Sequence, residues 1–104
     1  MVLGDHHTIL EANNGKSGLR LFEQHPEVDL IITDLSMAGM DGFDVIRAVR
    51  ATGRPVKIIA CSALIHQGNV EQMALAAGAD ACMAKPIDLG EFEIIVADLL
   101  RPTA

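Results

Sequence analysis

Three runs of apolar residues that do not alternate with polar ones punctuate the chain. The first, Leu30-Ile31-Ile32, runs on to an acid, Asp34. The second, Val56-Lys57-Ile58-Ile59-Ala60-Cys61, stops at Ser62, and the third, Asp80-Ala81-Cys82-Met83-Ala84, stops at Lys85-Pro86. Short apolar runs without period-two alternation predict strands buried on both faces. A further short strand is predicted over Thr8–Ala12, ending in the turn Asn13-Asn14-Gly15.

Between these runs the pattern changes to a helical period. Leu19 and Phe22 share a face within Lys16–Gln24, and Pro26 stops that helix. Phe43, Ile46 and Val49 do the same within Gly42–Ala51, with Gly53 as the stop. Asn69 and Gln72 approach a capping box before the stripe Val70, Met73, Ala74 and Ala77, and Gly78 ends it. Asp88 with Glu91 repeats the N-cap logic before Phe92, Ile95, Val96 and Leu99, and Pro102 follows. Strands alternating with helices of about ten residues predict an α/β domain with a parallel sheet.

Composition narrows the classes. A chain of 104 residues, half of them apolar, is one domain with a sizeable core that needs neither disulfides nor metal. A net charge of −6 argues against a direct nucleic-acid footprint. Cys61 and Cys82 fall inside apolar runs and match no metal or redox spacing, which predicts two buried thiols in a reducing compartment. With no signal peptide and no apolar run near the ~20 residues of a membrane span, the expected location is the cytoplasm, without membrane contact. His6 and His7 are adjacent at the chain end, where such pairs are ordinarily solvated, and His25 and His66 sit in turns.

In an open parallel sheet, ligands and chemistry sit beyond the carboxyl ends of the strands. Three predicted strands there present an acid, a hydroxyl and an ammonium: Asp34, Ser62 and Lys85. Singly, these are a turn acid, a turn hydroxyl and a surface charge. Together they suit attack on a phosphoryl group, hydrogen bonding to it and neutralisation of its charge. There is no glycine-rich phosphate loop of the GxGxxG or GxxxxGK[ST] kind, which weighs against a small flavodoxin-like nucleotide binder or enzyme.

Order and spacing of these motifs resemble the receiver domain of two-component response regulators. The carrying residues are Asp34 with Met37-Ala38-Gly39-Met40-Asp41-Gly42, Ser62-Ala63, and Lys85-Pro86, and the resemblance covers nearly the whole chain. It implies a flavodoxin-like parallel sheet with flanking helices. It also implies phosphoryl transfer to Asp34 from a sensor histidine kinase or phosphotransfer protein in a phosphorelay. Such a domain is a phosphoprotein rather than an enzyme, at most catalysing its own phosphoryl transfer and hydrolysis. Ser62 would bond the phosphoryl oxygens and Lys85 would pair with them. Mg²⁺ would be held by Asp34 and the backbone carbonyl of Ser36, and the Lys85–Pro86 peptide bond would be cis.

The chain departs from the family in three places. Ala38 replaces a proline of the loop, and Cys82 stands where an aromatic switch residue is usual. The third departure is at the amino end. Thr8–Gly15 resembles the family's second strand and the turn after it, and Met1–His7 resembles the end of the first helix. The first strand, its acidic pair and most of the first helix are therefore expected to be missing, through truncation or in a naturally short receiver-like protein. Asp5 as the acid of a shortened strand Met1–Leu3 is disfavoured, because a parallel return needs a dozen or more residues.

A first strand missing from the middle of the sheet implies one of two remedies. Either Thr8–Ala12 moves over to pair with Leu30–Thr33, or a second chain covers the gap. Both leave more apolar surface than an intact receiver has, because much of the first helix is gone as well, so a homodimer or higher oligomer is expected. With no output segment after Arg101, output is expected through a separate partner protein. The competing expectation is a pseudo-receiver, an interaction module with weak or no Mg²⁺-dependent phosphorylation. Without the acidic pair, one carboxylate and one carbonyl hold a hard cation poorly. Calorimetric Mg²⁺ titration is expected to show weaker binding than an intact receiver gives; equal affinity would mean another acid, such as Asp5, has moved in.

Overall fold

The computed structural model describes residues 2–3, 7–12, 15–35 and 42–100, with side chains over 18–35 and 42–100. The chain runs through β1 (Val2–Leu3), β2 (His7–Ala12), α1 (Gly15–Gln24), β3 (Val28–Asp34), α2 (Gly42–Ala51), β4 (Lys57–Ser62), α3 (Val70–Ala77), β5 (Ala81–Ala84) and α4 (Leu89–Leu99). The strands form one sheet in the order β1-β2-β3-β4-β5. From β2 to β5 every pairing is parallel, and β1 adds an antiparallel edge.

The amino end differs from expectation. Val2–Leu3 is not the end of a helix but a strand, with Val2 opposite Thr8 and Leu3 opposite His7. A dozen-residue crossover is required only of a parallel return, and an antiparallel one closes through a short connection. Of the two remedies for a gap in the sheet, the first holds: β2 lies directly on β3, from Thr8 opposite Val28 to Ala12 opposite Thr33, with a register shift between Thr8 and Ile9. Both edges of β3 are hydrogen-bonded within the one chain.

The pleat of β3 and β4 divides the core in two. Ile31, Leu35, Ile58 and Ala60 join Phe22 of α1, Val45, Ile46 and Val49 of α2 and Ala74 of α3. Leu30, Ile59, Cys61 and Met83 face Phe92 and Val96 of α4. Successive strand residues point to opposite faces, which is why β3 and β4 read as unbroken apolar runs. Arg54 seals one corner: its guanidinium lies 3.6 Å over the Phe22 ring and donates to the carbonyls of Phe22 at 2.6 Å and His25 at 3.0 Å.

Some local expectations need correction. Asn69 precedes α3 but its side chain makes no cap bond, whereas Asp88 accepts from the Glu91 amide at 2.9 Å as the capping pattern requires. Met73, placed on the buried stripe of α3, is exposed, because the eight-residue helix buries little beyond Ala74. Cys61 is buried, but Cys82 is only half-buried. Among the described residues, no helix is long and apolar enough to cross a membrane.

Thr33 is fully buried, and its hydroxyl has no hydrogen-bond partner among the described residues. An unmatched buried hydroxyl costs free energy that an isosteric methyl does not. Thr33→Val is therefore expected to leave the urea midpoint unchanged or to raise stability by up to about 1 kcal/mol; a clear fall would mean that the hydroxyl is bonded in solution.

Candidate functional site

The parallel ladder places the ends of β3, β4 and β5 on one edge. Asp34 is opposite Cys61 and Ser62 is opposite Ala84, so Lys85 begins one residue past the β4–β5 pairing. The ladder continues beyond the strand ends: the Leu35 amide donates to the Cys61 carbonyl at 2.9 Å, and the Lys85 amide donates to the Ser62 carbonyl at 3.1 Å. These bonds fix where both charged side chains leave the backbone. The Lys85–Pro86 peptide bond is cis, as the resemblance implied.

Asp34 and Lys85 meet. The Lys85 ammonium donates directly to Asp34 Oδ2, with the carboxylate about a quarter exposed and the lysine more so. Two predicted site residues separated by 51 positions are thereby brought into one charged pair. A lysine is suited to this because its ammonium is a compact charge on a flexible stem.

Ser62 is held by a local bond. It is buried, and its Oγ accepts from the Leu64 amide at 3.0 Å, a local turn bond typical of serine. That bond uses an oxygen lone pair and leaves the hydroxyl hydrogen to donate elsewhere. Ser36, named for its carbonyl, lies outside the described residues, as do Ala38 and Asp5.

Mg²⁺ does not fit the described residues. Among them no three His, Cys, Asp or Glu side chains gather where they could hold a metal ion. The one carboxylate at the edge, Asp34, carries the Lys85 ammonium. The neighbouring strands bring no acid to its level: Ala12 pairs with Thr33, and Cys61 with Asp34 itself. A hard cation that gives up its waters reluctantly needs more anionic oxygen than this.

Two features of the site escaped the sequence patterns. Gly42 begins α2 hard against the strand end: a Cβ there would lie 2.6 Å from the Asp34 carbonyl oxygen and 2.7 Å from Leu35 Cα. Glycine is needed for that close approach, and its place in the loop motif was the only hint. Cys82, at the position of the usual aromatic residue, lies 4.0 Å from the Glu71 carbonyl in α3. Burial, and then the nearby Glu71 carboxylate, push its thiol pKa up to about 11, so it is not a reactive nucleophile at neutral pH.

Several known proteins are similar to this chain. A Nocardioides protein-glutamate methylesterase/protein-glutamine glutaminase is 41% identical over 80 residues, which cover 76% of this chain and 22% of that protein. The two-component response regulator PhoP of Pseudomonas aeruginosa is 38% identical over 84 residues, covering 79% of this chain and 35% of its own. The chain thus spans between about a fifth and a third of the lengths of these relatives. Among solved structures, the CheX–CheY–BeF3–Mg²⁺ complex from Borrelia burgdorferi matches with a TM-score of 0.78 at 22% identity, over 86% of this chain and 66% of that one. A two-component response regulator from Clostridium difficile gives 0.76 at 22% identity, over 85% and 70%. At that identity the structural likeness establishes the flavodoxin-like receiver fold alone. The family model of the response regulator receiver domain matches residues 3–97, and the chain belongs to that family.

Proposed function

We propose that this receiver domain accepts a phosphoryl group on Asp34 and signals its state to a partner or output domain. The observation that carries the proposal is the Lys85–Asp34 pair at the carboxyl edge of the sheet. The donor is a phosphohistidine of a sensor kinase or phosphotransfer protein. An Asp34 carboxylate oxygen attacks phosphorus, the P–N bond breaks, and the imidazole leaves with the bonding electrons. The product is an aspartyl phosphate.

Such a transfer depends on positioning and charge neutralisation more than on further covalent chemistry. The Lys85 ammonium, already on the carboxylate, follows the new charge onto the phosphoryl oxygens. The Ser62 hydroxyl keeps its hydrogen available to donate to the same group. No step is assigned to a metal ion. Work of this kind belongs in the cytoplasm, where the kinase domains of such systems act. The methylesterase named among the relatives shares only this receiver portion with the chain, so its activity is not carried over.

A second reading, a pseudo-receiver that docks a partner without being phosphorylated, is favoured by one observation: Asp34 is the single carboxylate at the described edge. Intact mass after incubation with acetyl phosphate, with and without Mg²⁺, separates the two. Phosphorylation predicts a gain of one phosphoryl group on the natural protein and none on Asp34→Asn. Lys85→Ala is expected to slow labelling at least about tenfold, since a charge that stabilises the transferring group is gone. No gain under any condition would leave the pseudo-receiver.

A further inference from the structure

Helix α2 is close-packed at both ends on positions where a side chain does not fit. Its first residue, Gly42, sits on the backbone of Asp34 and Leu35, where a Cβ would come within 2.6 Å and 2.7 Å. Near its other end, Arg50 lies on Gly78, where a Cβ would come within 2.6 Å of the arginine Cγ. Gly78 is the C-cap of α3, with φ at 125°, a conformation that favours glycine.

The Arg50 guanidinium spends its donors on three separate pieces of chain. Nε donates to the Gly78 carbonyl at 2.8 Å, one terminal nitrogen to the Val56 carbonyl at 2.6 Å, and the other to Asp80 Oδ2 at 2.5 Å. Asp80 Oδ2 also accepts from the Ile58 amide at 2.8 Å, so the start of β4 and the entry to β5 share one carboxylate. A ten-residue helix, about 15 Å long, therefore joins the backbone of Asp34 to the α3–β5 junction without slack at either end.

We propose that α2 and Arg50 form a strut that couples the state of Asp34 to Gly78–Asp80. Close-packed protein interiors transmit displacement instead of absorbing it. A shift of the Asp34–Leu35 backbone moves Gly42, the helix follows as a body, and Arg50 hands the movement to the C-cap of α3 and the first residues of β5. Arg50 is a positioning residue here and touches no reacting atom. The route is independent of Cys82, whose sulfhydryl makes only a long contact to Glu71. The proposal takes from the phosphoacceptor reading only the identity of the input.

Coupling between two sites is reciprocal, so it is testable from either end. Backbone amide signals would be compared for Asp34→Asn and for Gly78→Ala, each made in the natural chain and in Arg50→Gln. The strut predicts that Asp34→Asn shifts the amides of Ile58, Gly78 and Asp80, and that Gly78→Ala shifts those of Asp34, Leu35 and Gly42. Both sets of far-end shifts are lost in Arg50→Gln. Far-end signals that stay still in the natural chain, or that move equally without Arg50, overturn the proposal; the second result would mark Lys85 and β5 as the route. If Gly78→Ala does not fold, the near-isosteric Asp34→Asn carries the comparison alone. If Arg50→Gln does not fold, Arg50→Lys keeps the charge and removes the fork. No phosphoryl donor enters the experiment, so failure of Asp34 to accept a phosphoryl group leaves its outcome unaffected.

Discussion

Everything at the carboxyl edge depends on β3 being hydrogen-bonded on both sides. Its register with β4 sets Asp34 beside Cys61, and the register of β4 with β5 sets Lys85 one residue beyond Ala84. A slip of one residue in either pairing would turn a side chain to the opposite face and separate carboxylate from ammonium. The other side of β3 is closed by β2. Adjacent strands lie only about 4.8 Å apart, so an apolar strand left unpaired there would expose a row of backbone donors and acceptors. Direct pairing of β2 removes that hazard within one chain. It also decides what stands beside the end of β3: Ala12 is opposite Thr33.

The elements legible in the sequence were those whose signal is local. The apolar runs of β3, β4 and β5, the helical stripes of α1, α2 and α4, and the Asp88 cap all follow from residues within a few positions of one another. The shared edge of Asp34 and Lys85 was legible because strand ends in a parallel sheet converge on one edge whatever the loop lengths, but their direct pairing was not. Three other things were not. The antiparallel edge strand Val2–Leu3 has only two residues, too few for any periodicity to declare itself. Met73 obeys helical spacing but is exposed, because α3 covers the sheet with little more than Ala74. Arg50 finds its partners up to 30 residues away, and nothing in the local pattern distinguishes it from Arg47, which makes only a surface pair with Asp44.

Two arginines are spent inward, and that shapes the site. Arg50 and Arg54 direct their guanidinium groups to backbone carbonyls at element ends. Over residues 63–100 the only lysine or arginine is Lys85, set among Glu71, Asp80, Asp88, Glu91, Glu93 and Asp98. Simple proximity in sequence would favour Asp88 as its partner. Asp88, however, is engaged in capping α4 through the Glu91 amide, and Asp80 is held by Arg50 and the Ile58 amide. The backbone bond from Lys85 to the Ser62 carbonyl then starts the side chain from the sheet edge, within reach of Asp34. The Asp34 carboxylate is partly buried, and a partly desolvated anion is costly unless it is paired. The geometry of the pair is imposed by two ladders, which sets it apart from an ion pair between two mobile surface side chains.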